Sequence, residues 1–241
     1  MPRGLGRFGY LLKQSPLEDH KDVTIDIYSL MSFPAAALLL AYYMTFQPLN
    51  PGVAQIGTIG AVLGVIGWAG GIGISYIGPR VFGRLKFSFQ LLNPQGYQST
   101  AITVMIFAIM SILMQSAVLA IRPQAGLTIP STPIDAFLFV QAMAIMETWF
   151  FVFFVFRIFR AGGGWILADI ATSLIFGFAY HQVVYNADPF YMGAAVMGSI
   201  IYCASLQVTG RLSVSMVLHQ IQNFIATIGM VLAQLQAALS A

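Results

Sequence analysis

Residues 134–157 read IDAFLFVQAMAIMETWFFVFFVFR. Between Asp135 and Arg157, the 21 residues 136–156 hold one ionisable side chain, Glu147. At a rise of about 1.5 Å per residue a helix of this length spans about 30 Å, the thickness of a bilayer's hydrocarbon core. The stretch therefore reads as a transmembrane helix, and the fold follows from finding its partners.

Six further apolar runs of similar length lie roughly at 26–46, 53–78, 100–121, 165–186, 189–208 and 212–236. The connections are short, so residues 26–241 read as one membrane domain behind a polar segment at 1–25. The expected fold is all-α: a polytopic bundle of about seven spans in the lipid bilayer. Composition agrees. The chain is 58% hydrophobic and 8% charged, against roughly 25% charged for soluble domains, which is too little polar surface to face water. Eleven scattered Lys and Arg make no nucleic-acid footprint. The single Cys203 excludes an intrachain disulfide, and the first 24 residues carry no apolar core of a signal peptide.

The basic residues orient the spans. Alternate connections place Arg3, Arg7, Lys13, Lys21, Arg80, Arg84, Lys86, Arg157, Arg160 and Arg211 on one side and Arg122 alone on the other. By the positive-inside rule the N-terminus is cytoplasmic and the C-terminus outside. Residues 80–92 are too short to span, and Val81, Phe82, Leu85, Phe89 and Leu92 recur at helical spacing. That pattern predicts one interfacial helix on the inner leaflet. The second span holds eight glycines, among them Gly60, Gly64, Gly67 and Gly71, which read as a close helix-packing face.

Ionisable groups inside hydrocarbon mark candidate sites. Glu147 is mid-span in the fourth run, His181 lies in the fifth, and His219 and Asn223 share a face of the seventh at i, i+4. Ser215, Gln222 and Thr227 extend that stripe, with Leu218, Ile221 and Ile225 assigned elsewhere. In the fifth run Asp169, Ser173, Gly177 and His181 repeat every four residues, and in the fourth Gln141, Ala144, Glu147 and Thr148 cluster. Three helices can thus aim a carboxylate, two imidazoles and an amide at one cavity. A carboxylate beside two imidazoles can bind a divalent, zinc-like metal through His181, His219 and Glu147, or activate water directly. An Asn amide can donate to an oxyanion. The set suits hydrolysis of an acyl bond by water; no HExxH zinc-protease motif occurs. Interhelical hydrogen bonding without chemistry is the other use of such groups.

Taken in order, Glu147, His181 and His219-xxx-Asn223 resemble the CPBP (CAAX protease and bacteriocin-processing) family of intramembrane proteases, with motifs EExxxR, FxxxH and HxxxN/D on separate helices. The likeness covers about 140–225 and is closest over 200–224, where Thr209-Gly210 leads into the His-xxx-Asn helix. Thr148 stands where the family has its second Glu, Val152 where it has Arg, and Gly177 where it has Phe. The resemblance implies a membrane endopeptidase cutting a peptide or membrane-protein substrate. Glu147 would activate water, His181 and His219 would bind metal or stabilise the transition state, and Asn223 would support the oxyanion. The altered first motif leaves a catalytically inactive scaffold as the alternative. Counted along straight helices from the inner ends, His219 lies about 10 Å deep, Glu147 about 15 Å and His181 about 25 Å, so a shared site requires the fifth span to be tilted or to start deeper.

Overall fold

The computed structural model describes residues 22–46, 51–89, 105–110, 112–114, 117 and 133–240, with side chains as far as Ile228 in the last helix. A short strand β1 (Val23–Asp26) leads into α1 (Ile27–Phe46) and α2 (Pro51–Ile77). A helical turn α3 (Pro79–Phe82) and a strand β2 (Leu85–Ser88) follow. After a gap come α4 (Ile134–Gly163), α5 (Trp165–Tyr185), α6 (Pro189–Thr209) and α7 (Leu212–Ser240). The helices α1, α2, α4, α5 and α6 are each long and apolar enough to cross a membrane. Their bounds fall within a few residues of the expected spans. The third expected span lies mostly outside the described residues, as do residues 1–21.

The core is built around α4, which contacts α1, α2, α5, α6 and α7. Every residue from Ala142 to Trp149 is buried. On one side α2 lays its glycines against α4. Gly60 and Gly64 face Met143 and Met146, Gly71 faces Phe153, and a Cβ added at Gly67 would stand 2.5 Å from the Cα and N of Phe150. The glycine stripe is thus a packing face within the chain, because only a missing side chain lets α2 approach α4 backbone to side chain.

Residues 80–92 correct the expected interfacial helix. Only Pro79–Phe82 is helical. Gly83 then takes φ 84°, a conformation open to glycine and strained for other residues, and Leu85–Ser88 pairs in parallel with Val23–Asp26. The amide of Val23 donates to Arg84 O at 3.0 Å, and that of Thr24 to Gly210 O at 2.6 Å. Residues 90–92 lie outside the described residues. The helical spacing lost because β1 supplies backbone partners that an isolated four-residue turn lacks.

Arg157 reinforces this end. It is 3% exposed and donates to Gly71 O at 3.1 Å, Phe82 O at 2.8 Å, Gly83 O at 3.2 Å and Ser75 Oγ, with its guanidinium over the Phe153 ring. A cation inside an apolar bundle is tolerable when its donors are filled in this way. Alongside it, Asp22 accepts from the Arg84 amide at 2.9 Å and pairs with Lys86 at 3.0 Å. The amide bond holds the Asp22 carboxyl below its usual range, with burial opposing it and Lys86 adding to it. At the other end of α5, Asn186 takes a left-handed φ of 48° and closes the helix. Asp188 then caps α6 by accepting from the amides of Phe190 and Tyr191.

Candidate active site

Two irregular stretches position the polar residues. In α4, Glu147 is the last residue before a π-helical segment, Thr148–Val155. In α5, His181 is the first residue after another, Ile175–Tyr180. Such segments shift the angular phase of the residues beyond them and recur at functional sites. Gly177 brings α5 close to α6: a Cβ there would stand 2.7 Å from Met192 O.

Glu147, His181, His219 and Asn223 all line one cavity, closed by Phe176, Tyr185, Tyr191, Tyr202 and Gln222 among others. Its volume is about 50 Å³, and a water needs roughly 10–15 Å³ on that measure. The site therefore has room for water and for a small reacting group. The depth mismatch computed for straight helices does not keep His181 away from the site. Glu147, His181 and His219 are 3%, 5% and 4% exposed.

Glu147 is held at both oxygens. Oε1 accepts from the hydroxyls of Tyr180, at 2.9 Å, and Tyr185. Oε2 lies 3.4 Å from His219 Nε2. The other nitrogen of His219, Nδ1, is 3.1 Å from Thr148 Oγ1, and the Tyr202 ring stacks on the imidazole at 4.4 Å. His181 Nδ1 lies 2.7 Å from Phe176 O. A carbonyl cannot donate, so that nitrogen carries the proton and Nε2 is left as an acceptor in the neutral ring. Asn223 Nδ2 donates to Val140 O at 3.4 Å, a long bond that leaves its second hydrogen for another acceptor.

The expected inward stripe of α7 is present and broader than the spacing suggests. Ser215, His219, Gln222 and Thr227 are buried. Leu218, which the spacing assigned elsewhere, is 0% exposed as well, because α7 packs against α4 on one flank and α6 on the other. Asp169 is buried but bonds Ser173 at 3.2 Å and does not line the cavity. Among the described residues no group of three His, Cys, Asp or Glu side chains converges on a metal position. Glu147 and His219 meet, but Oε1 is taken by two tyrosines.

Sequence reasoning missed the tyrosines. Tyr180 adjoins His181 and Tyr185 follows it by four residues, a spacing that puts Tyr185 on the His181 face, yet a tyrosine in an apolar run carries no signal of its own.

Residues 129–225 match the family model described as type II CAAX prenyl endopeptidase Rce1-like. The matched stretch contains Glu147, His181, His219 and Asn223, and it supports the CPBP family for this part of the chain. No curated protein and no solved structure matches the chain.

Proposed function

From a chain whose residues 129–225 are Rce1-like, we propose an intramembrane endopeptidase that cleaves a peptide bond with a water activated by Glu147. The observation that carries this reading is the single cavity lined by Glu147, His181, His219 and Asn223 from three helices. A water between Glu147 and the substrate carbonyl loses a proton to the carboxylate as its oxygen attacks carbon. The same proton then passes to the leaving amine as the C–N bond breaks. His181, protonated on Nδ1, accepts from that water and orients it. Asn223 donates to the oxyanion. No step is routed through a metal, since the donor set does not converge on one.

The test is cleavage of a prenylated CAAX peptide by purified protein in detergent. Glu147→Gln abolishes turnover while the protein keeps its native elution and melting behaviour, and a chelator leaves native turnover unchanged. Turnover surviving in Glu147→Gln would sink the mechanism. One observation favours the alternative, an inactive scaffold: Glu147 Oε1 is already taken by the hydroxyls of Tyr180 and Tyr185. Native protein that cleaves nothing, with the cavity intact, selects it.

For orientation, the ends bearing Arg84, Arg160 and Arg211 gather around β1, and we place them in the cytoplasm. A membrane-impermeant maleimide, in a Cys203→Ser background, then labels Asn186→Cys on intact cells and Gly162→Cys only after permeabilisation.

A further inference from the structure

Thr148 occupies the position of the family's second glutamate and is completely buried, one residue from Glu147 and outside any step of the mechanism above. Its hydroxyl has one hydrogen. That hydrogen is committed to Ala144 O, 2.7 Å away, because a carbonyl at that distance can only accept. At the 3.1 Å contact with His219 Nδ1 the remaining proton must come from the ring. His219 is therefore protonated on Nδ1, and its Nε2, 3.4 Å from Glu147 Oε2, has no hydrogen of its own in the neutral ring. Two acceptors face each other there, and one proton shared between them satisfies both.

The other groups around His219 do not select this state. Tyr202 stacks on the ring with planes 21° apart, and the Phe176 ring meets it nearly edge-on at 86°. Both fix the plane of the imidazole. A half-turn within that plane, or a tautomer with the proton on Nε2, would keep both contacts. The two edges are distinguished by Glu147, which faces Nε2 and favours a proton there, and by the Thr148 hydroxyl, which alone requires the proton on Nδ1.

We propose that Thr148 is a positioning residue that holds His219 as the Nδ1–H tautomer, so that Nε2 faces Glu147 as an acceptor and can take up and return a proton during hydrolysis. Only the kinetic consequence rests on the peptidase reading. Without the threonine hydroxyl, an ionised Glu147 would draw the ring proton to Nε2 and leave no acceptor there.

The tautomer is read by nitrogen NMR on protein labelled with [15N]histidine, with the His219 signals assigned by their loss in His219→Gln. In the native protein His219 shows a protonated Nδ1 and a bare Nε2, or a ring protonated on both nitrogens when it holds the shared proton. Thr148→Ser keeps that pattern, and the isosteric Thr148→Val moves the proton to Nε2. In the cleavage assay Thr148→Val lowers kcat by about tenfold, the effect of losing one hydrogen bond, with KM little changed, and Thr148→Ser restores it. A native His219 protonated on Nε2 alone overturns the proposal even if Thr148→Val does not fold. So does a folded Thr148→Val that keeps the native pattern. If no peptide is cleaved but the tautomer follows the hydroxyl, the positioning role stands and the peptidase reading falls.

Discussion

The helices α2 and α4 lie against each other and are built on opposite plans. Over its most apolar window α2 is 28% buried, and its buried positions are nearly all small: Gly57, Gly60, Gly64, Gly67, Gly71 and Ser75. α4 is 67% buried and carries bulk: Met143, Met146, Trp149, Phe153 and Phe156. One helix supplies a groove and the other fills it. Lipid can solvate the rest of α2, so only its contact face is constrained. Over residues 142–149 α4 is surrounded by protein, so every face of that stretch is constrained, and that is where a carboxylate can be partnered by two tyrosines and a histidine. The Rce1-like match begins at residue 129 and covers α4, not α2.

The largest test of this division is Gly67→Leu. A side chain there meets the backbone of Phe150, which cannot withdraw as a flexible side chain would. Overpacking of this kind costs about 3 kcal/mol or more, read as a lower melting temperature in detergent and loss of the monodisperse peak. A variant as stable as native protein would mean that α2 and α4 are not pressed together.

Tyr185→Phe sharpens the α4 side, because it removes a donor to Glu147 Oε1 while keeping the ring. Turnover should fall about tenfold, equivalent to roughly 1.4 kcal/mol of transition-state stabilisation, with the melting temperature close to native. A fall in stability without a change in kcat would make the tyrosine structural only.

Gly73→Ala is the control within α2. Nothing lies within 4 Å of a Cβ at that position, so the change should be neutral or stabilise by up to about 1 kcal/mol through helix propensity. Marked destabilisation would reveal a partner for that face.

The smallest effect concerns Asp22. Its carboxyl is held below the ordinary value of 3.8 chiefly by the Arg84 amide. A depressed folded-state value means that the contribution is present above the unfolded value and is lost as pH falls through the folded one. Native protein should therefore lose slightly more stability than Asp22→Asn on acidification below about pH 4. Parallel pH–stability curves for the two proteins would remove Asp22 from the tie between β1 and β2.

Much of this molecule follows from its residues taken one run at a time. The transmembrane class and the bounds of α1, α2, α4, α5 and α6 follow from apolar length, because hydrocarbon demands about 20 residues per crossing and leaves a helix the means to satisfy its own backbone. The glycines of α2 announce a close approach for a similarly local reason. Glu147, His181, His219 and Asn223 stood out because ionisable and amide side chains in apolar runs are costly. Tertiary structure alone decided how these groups meet. The phase shifts at Thr148–Val155 and Ile175–Tyr180 depend on neighbours that supply packing for a wider turn, and no local spacing encodes them. Residues 85–88 became a strand because β1, some sixty residues earlier in the chain, offered backbone partners. Tyr180 and Tyr185 became partners of Glu147, and Thr148 of His219, only when α4, α5 and α7 closed around one cavity. A hydrogen bond is worth most where water is excluded, and which residues share such a place is a property of the packed bundle.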